Sequence, residues 1–572
     1  MPLLYLLHQP IAVDAPDAEG HTALMWAAYQ GDAISVDVLL RHGASVHSRD
    51  SAGLTPLHWA VVRGNKVCIR RLLETGAEMN ARDSAGKTPR DMATELRSLG
   101  AFRKALEEGG FKEDGTKQTK MLSDRHTKLT IFLLPSLFLW LIFKTLSFLP
   151  WYTALPLAMA DFFGMHHIVT RVLLNHNSYT DSVTHSPYFS GIIFGSMVWI
   201  TWAWTMELLQ VAEGYRLWHL AFGICLALCA YNFFRATTLD PGTCPKPAND
   251  AELKSIIEEL TSEGRLNGQT FCISCMGKKA LRSKHCRICE KCVGRHDHHC
   301  PWVWNCVGVN NHRQFIIFVT SLVFGILLFD YLAYAYFTEH LAQLPEAELA
   351  ECVFPDFICT ASKRSPFLLA VTAWATMQLS WTIILWASQL WQVARQMTTL
   401  EVTNLGRYGY MGSKGTSLAT QMGHSHAQPH AGAADDLGDS VGPRHAHKHT
   451  GGLAGAANFI LHVLGLDRFT KGKAVDGLAR AGRAANPFNV GLIGNCRDFW
   501  SAGRELGVDY TTLYAIPPEG WAEARRQRRW EEQSDNGTGR TSSSLLAKMG
   551  LRIGGGRTRQ GYLPVRTEDQ SV

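Results

Sequence analysis

Seven of the fourteen cysteines in this 572-residue chain fall between Cys272 and Cys306, at spacings that suit metal ligands. The run reads Cys272-x2-Cys275-x9-His285-Cys286-x2-Cys289-x2-Cys292-x3-His296-Asp297-His298-His299-Cys300-Pro301-Trp302, followed by Cys306, Asn310, Asn311 and Phe315. Paired Cys-x2-Cys units with histidine match tetrahedral zinc, which binds thiolate and imidazole and stabilises a loop too small for its own core. A disulfide framework would instead call for a short secreted chain. Seven cysteines and His285 make eight ligands, enough for two closed sites with no thiol left over. A second count replaces Cys300 by His299 and frees one thiol beside a histidine and an aspartate. Spacing alone does not choose between the counts.

The neighbourhood of Cys300 favours the second. A thiol attacks as thiolate, and near neutral pH it needs a base or a nearby positive charge to form one. His298 lies two residues away, and Asp297 can orient it. A Cys/His/Asp set reproduces the division of labour among nucleophile, base and orienting acid found in acyl-transfer enzymes. With both zinc sites closed by protein ligands, neither metal keeps an open position for activating water, so zinc serves as scaffold.

The elements that position this loop are membrane helices. A bilayer core roughly 30 Å thick needs about 20 apolar residues at a helical rise of ~1.5 Å each. Six stretches qualify: Leu129 to Leu149, Ala154 to Leu174, Tyr188 to Met206, Leu217 to Phe234, Phe315 to Phe337 and Phe367 to Trp391. The second is the weakest, because Asp161, His166 and His167 lie inside it and a charge in hydrocarbon is costly unless it faces the bundle. Gly191, Gly195 and Gly325 are read as sites of close helix packing. An even count puts both chain ends on one side. The loop from Ala236 to Gln314 holds eleven Lys and Arg against only Lys363 and Arg364 between the last two helices, so the loop, both ends and the tail are expected in the cytosol. Thr338 to Ser365 then faces the lumen, where Cys352 and Cys359 are expected to form a disulfide.

Before the first span, Gly20-His-Thr-Ala-Leu24, Gly53-Leu-Thr-Pro-Leu57 and Gly86-Lys-Thr-Pro89 recur at 33 residues, the ankyrin period. Ala33 to His42 and Lys66 to Thr75 carry helical apolar spacing and end at Gly43 and Gly76. Leu3 to Gln9 resembles the second helix of an earlier repeat, so the array is expected to be incomplete at its N-terminus and to start on an uncapped edge. After the last span, Gly406 to Thr450 lacks period and large apolar residues and is expected to be disordered, its histidines without a role. Phe459 to Leu464 suits a helix on the membrane surface, and the last forty or so residues look unstructured. The formal charge of +6 is dispersed, so nucleic acid is not an expected partner. The expected fold is mainly α. It has ankyrin repeats at 1–107, four membrane helices at 129–235, a two-zinc loop at 236–314, two more helices at 315–391 and a partly disordered tail at 392–572.

Taken together, these motifs resemble the Asp-His-His-Cys (DHHC) protein palmitoyltransferases, and among them the ankyrin-bearing Akr type of fungi. The resemblance includes Asp240-Pro-Gly242 before the loop, Thr398-Thr399-Leu400-Glu401 after the last helix and Asn486-Pro-Phe-Asn-Val-Gly491. It implies one zinc on Cys272, Cys275, His285 and Cys292 and another on Cys286, Cys289, His299 and Cys306. Cys300 is then free to take palmitate from palmitoyl-CoA, with His298 as base and Asp297 as its partner, and to pass it to protein cysteines. The resemblance also implies Golgi and early endosome membranes, and cytosolic protein substrates recruited by the ankyrin repeats. Thr398, Glu401 and the Asn486-Pro-Phe488 element are read as structural support. Certain cation channels share ankyrin repeats and six spans, but they carry a pore loop between the last two helices, a segment that is acidic here. A non-catalytic membrane scaffold would not need Asp297, His298 and Cys300.

Overall fold

The computed structural model describes residues 1–404 except 114, 117–121, 175–180, 211–213, 343, 346–348 and 350–353, and then 486–501 and 508–516. One compact unit holds Met1–Trp386 together with Tyr510–Tyr514, and a second begins at Ala387. In the first unit, the 33-residue step becomes three helix pairs: Ala23–Gln30 with Ala33–Arg41, Pro56–Arg63 with Lys66–Glu74, and Pro89–Glu95 with Leu99–Gly109. The threonine of each repeat starts a helix. Thr22 and Thr88 accept the backbone N–H of Met25 and Asp91, and proline opens the helices at Pro56 and Pro89. The glycine that marks each repeat has a positive φ, and in the first two repeats it sits against the next turn. A Cβ at Gly20 would lie 3.2 Å from Asp50 Cα, and one at Gly53 would lie 3.0 Å from Ser84 N. Leu24, Val36, Leu57, Ile69, Leu72 and Phe102 fill the shared core.

The leading helix, Pro2–Leu6, is not the open edge that the sequence implied. Leu4 is buried in a cluster with Leu253, Ile257 and Leu260 of the helix Asp250–Ser262 and with Phe271. That helix belongs to the cysteine-rich loop, whose Ser274 carbonyl also accepts Arg41 Nη1 at 2.8 Å. The loop thus covers the apolar face of this leading helix.

Among the described residues, five helices are long and apolar enough to cross a membrane: Asp124–Phe148, Tyr188–Leu208, Arg216–Thr238, His312–His340 and Pro366–Ala394. The second of the six expected spans does not join them. Ala154 to Leu174 falls on a 17-residue helix, Trp151–His167, continued by a π-helical turn, Ile168–Leu173. Its Asp161 accepts a hydrogen bond from Thr145 Oγ1 at 3.2 Å. Several other helices run past their expected ends, because backbone hydrogen bonding continues where hydropathy falls off. Gly191 and Gly195 admit direct backbone approach, since a Cβ there would lie 2.4 Å from Phe132 O and 2.9 Å from Ser136 Cα. The packing reading holds for both. Gly325 meets only an ordinary contact with Cys225. Cys359 is disulfide-bonded, and Cys352, its expected partner, lies outside the described residues.

In the second unit, Thr398 and Glu401 cap the short helix Thr399–Thr403 reciprocally: Glu401 N–H donates to Thr398 Oγ1, and Thr398 N–H donates to Glu401 at 2.9 Å. Asn486 Nδ2 donates to the carbonyls of Arg395 and Gln396 at 2.9 and 3.2 Å, Phe488 is buried, and Asn495 Nδ2 donates to Ala394 O at 2.8 Å. These contacts are structural support of the kind the sequence implied. The His-rich stretch, the Phe459 to Leu464 segment and the last forty residues lie outside the described residues.

Candidate active site

The cysteine-rich loop folds as three two-stranded antiparallel hairpins: β1 (Phe271–Cys272) with β2 (Gly277–Lys278), β3 (Lys284–Cys286) with β4 (Lys291–Val293), and β5 (His298–Cys300) with β6 (Asn305–Val307). Two clusters of ligand atoms link them, each cluster lying within 4.8 Å: Cys272, Cys275, His285 and Cys292, then Cys286, Cys289, His299 and Cys306. In each cluster a Cys-x2-Cys turn of one hairpin meets a directly opposed pair from the next. His285 faces Cys292 across β3 and β4, and His299 faces Cys306 across β5 and β6. Opposed residues come close enough for both to reach one ion. The spacings fit zinc. Cys275 Sγ lies 3.2 Å from His285 Nδ1, and His299 Nδ1 lies 3.4 to 3.7 Å from the sulfurs of Cys289, Cys286 and Cys306. Zinc bonds of about 2.0–2.3 Å separate tetrahedral ligands by about 3.6 Å.

Strand alternation separates the remaining groups. Successive side chains of β5 point to opposite faces, so His299 turns to the ligand cluster while His298 and Cys300 share the other face. His298 Nδ1 bonds Asp297 Oδ2 at 2.6 Å, and Asp297 is almost wholly buried. Burial works against the imidazolium, but the bonds to Asp297 and to the Cys300 thiol outweigh it and push His298 up to about 10. For Cys300, burial opposes the thiolate. Its bond to His298, the charge there and the backbone N–H groups of Val303 and Trp302 hold the thiol below its ordinary range. Each group thus favours the charged form of the other. Cys300 also packs with Ile193, Phe233, Phe315 and Phe318 from three membrane helices, so the polar pair borders an apolar interior.

The sequence reading missed what fixes this hairpin to the helices. Asn305, opposite Cys300, donates to the carbonyls of Ala236, Thr237 and Leu239 at 3.0, 3.2 and 2.8 Å, closing the end of Arg216–Thr238. Asn311, which the reading noted without a role, donates to Ala236 O and Cys306 O and accepts Gly308 N–H. Trp302 stacks on Trp381 with ring centres 4.8 Å apart, and Phe315 stands edge-on to His298. Asp240 holds the preceding turn by accepting the N–H groups of Gly242 and Thr243 at 2.9 and 2.7 Å.

Comparison with known proteins bears on the same region. A family model for DHHC palmitoyltransferases matches residues 265–406, and one for three ankyrin repeats matches residues 2–83. Palmitoyltransferase AKR1 of Mortierella alpina is 34% identical over 92% of this chain and 96% of its own length. The chain belongs to the DHHC palmitoyltransferases. Two further relatives in this group, Palmitoyltransferase AKR1 of Gibberella zeae and Palmitoyltransferase akr1 of Emericella nidulans, are each 35% identical. They align over 74% and 68% of this chain and over 61% and 54% of their own lengths, so the chain spans little more than half of these longer relatives. As a DHHC palmitoyltransferase with several membrane-length helices, the chain is a membrane-bound protein S-acyltransferase. The matched region contains both ligand clusters and the Asp297, His298 and Cys300 group.

Proposed function

We propose that Cys300 carries the palmitoyl group between palmitoyl-CoA and protein cysteines. The observation that carries this reading is the alternation of β5, which turns His299 to a ligand cluster and leaves His298 and Cys300 on one face against the membrane helices. The Cys300 thiolate attacks the thioester carbonyl, forming a new carbon–sulfur bond as the bond to coenzyme A breaks. The leaving thiolate takes the proton held on His298. A substrate thiol then gives its proton back to His298 and attacks the acyl-Cys300, releasing the Cys300 thiolate. Asp297 keeps the imidazole oriented throughout. One thioester replaces another at each step, so the protein chiefly positions reactants and activates the thiol.

In this reading, Cys272, Cys275, His285 and Cys292 hold one structural zinc, and Cys286, Cys289, His299 and Cys306 hold the other. The acyl chain lies among the apolar residues behind Cys300 while coenzyme A stays in water. The ankyrin array recruits protein substrates, supported by the exposed rings of Trp26 and Tyr29, which pack edge-on with each other, Tyr29 also standing edge-on to Trp59. Trp151–His167 with its π-helical turn completes six spans. Both chain ends then lie in the cytosol, in Golgi and early endosome membranes, the location its resemblance implies.

The deciding experiment is incorporation of labelled palmitate by the full chain. Label that hydroxylamine removes, and that is missing from Cys300→Ser, is the expected result. Equal labelling of Cys300→Ser would overturn the assignment.

A further inference from the structure

Far down the chain from the cysteine-rich loop, the segment Tyr510–Tyr514 returns to it within the same compact unit. Tyr510 is 1% exposed. The guanidinium carbons of Arg282 and Arg295, both buried, each lie 5.3 Å from the centre of its ring. Two buried like charges are costly to keep close, and the negative face of an aromatic ring offsets that cost. The segment is fastened on either side of the ring. Leu281 N–H donates to Leu513 O at 2.5 Å, and Lys278 Nζ lies 4.7 Å from the centre of the Tyr514 ring. Gly294 lets the segment come this close, since a Cβ there would fall 2.6 Å from Tyr510 O.

Both arginines connect to the segment that carries the reacting pair. Arg295 stands two residues before Asp297, and Arg282 O accepts the N–H of His296 at 3.0 Å. Both have left-handed backbone conformations, with φ of 64° and 45°. Such a conformation is uncommon for a residue other than glycine and persists where surrounding contacts hold it; the same loop adopts it at Met276, Glu290 and Trp304. The Tyr510 ring reaches both arginines at once.

We infer that Tyr510 is a positioning residue for acyl transfer: its ring fixes Arg282 and Arg295, and through them the turn that sets Asp297 and His298 against Cys300. This rests on the roles proposed above for those three residues. Without the ring the turn relaxes, and small displacements of a reacting group cost large factors in rate.

The test measures single-turnover loading of full-length protein from palmitoyl-CoA, with zinc content determined on the same samples. Tyr510→Leu keeps apolar bulk but has no ring face, and its maximum loading rate should fall roughly 10- to 100-fold. The half-saturating palmitoyl-CoA concentration and the zinc content should stay at the wild-type level. Tyr510→Phe keeps the ring, and it should load at close to the wild-type rate. A wild-type rate for Tyr510→Leu overturns the inference. So does Tyr510→Phe as slow as Tyr510→Leu, or a rate that falls only in step with lost zinc. Cys300→Ser is run beside them: if it still loads, the underlying reading fails, whereas an inactive Cys300→Ser with a fully active Tyr510→Leu sinks the role of Tyr510 alone.

Discussion

Cys68 in the ankyrin core and Cys300 in the last hairpin are both buried thiols, 0% and 3% exposed. Burial acts on both in the same direction, because a thiolate loses its hydration in apolar surroundings. In the ankyrin core only a smaller backbone hydrogen bond opposes it: burial, helped by the charge of Asp32, pushes Cys68 up to about 12. Cys300 meets the same penalty and is still held low, because His298 and two backbone N–H groups stabilise its thiolate. The difference is made by partners. A helix stack surrounds its thiol with hydrocarbon, whereas a hairpin end brings an imidazole and a tight turn of amides to one sulfur.

The largest effect should come from removing the hairpin itself. In the proposed ligand set His299→Ala breaks the cluster with Cys286, Cys289 and Cys306, and structural zinc contributes on the order of 10 kcal/mol to folding of small domains. Zinc analysis should find metal lost and Cys300 reduced to an ordinary buried thiol. A full complement in His299→Ala, with loss in His298→Ala, would reverse the roles of the two histidines.

The next contrast is chemical. At neutral pH a thiol near 12 has about one part in 10⁵ as thiolate, by the ordinary titration relation. Brief alkylation of the folded protein should therefore modify Cys300 and leave Cys68 untouched, as read by peptide mass spectrometry. Acidification removes thiolate, so Cys300 should lose reactivity as pH falls, while Cys68 should gain it only as pH climbs toward 12. Equal labelling of the two thiols near neutrality would erase the distinction drawn above.

His298→Ala tests the partner directly. It should slow loading of Cys300 by about 10²- to 10⁴-fold, the usual contribution of a positioned acid or base, while zinc stays bound. Loading at the wild-type rate would show that the backbone amides suffice. Smallest of all, Cys68→Ser buries a hydroxyl among apolar groups and should destabilise the ankyrin array by about 1–3 kcal/mol. Thermal unfolding should register this with no change in Cys300 loading. A parallel loss of loading would mean that the two thiols are not independent.

Much of this was legible in the sequence. The 33-residue step, its threonines and its glycines announced the ankyrin helices, because each marks a cap or a left-handed turn. Asp297, His298 and Cys300 stood out by residue type. Spacing left the choice between His299 and Cys300 as ligand open and only the neighbours of Cys300 favoured His299; the geometry itself turns on the pairing of β5 with β6, and three-residue strands carry no periodic signal. Asn305 was invisible for another reason: its partners are carbonyls at the end of a helix far back in the chain, and one asparagine in a polar loop signals nothing about them. Asp161 and the histidines after it left the second span ambiguous, and the helical stretch found there, Trp151 to Leu173, is long enough but too polar to join the other five. Tyr510 lay in a stretch whose composition gave no hint of a return to the zinc loop.

The sharing of ligands between neighbouring hairpins also orders the loop in time. In the proposed sets, the first metal cage waits for Cys292 and the second for Cys306, so each hairpin is locked only when the next has left the ribosome. Cys306 follows Cys300 by six positions, which at about 5–20 residues per second takes on the order of one second. The reactive sulfur is thus made just before the last ligand that secures its strand, and its time as a loose thiol during synthesis is short.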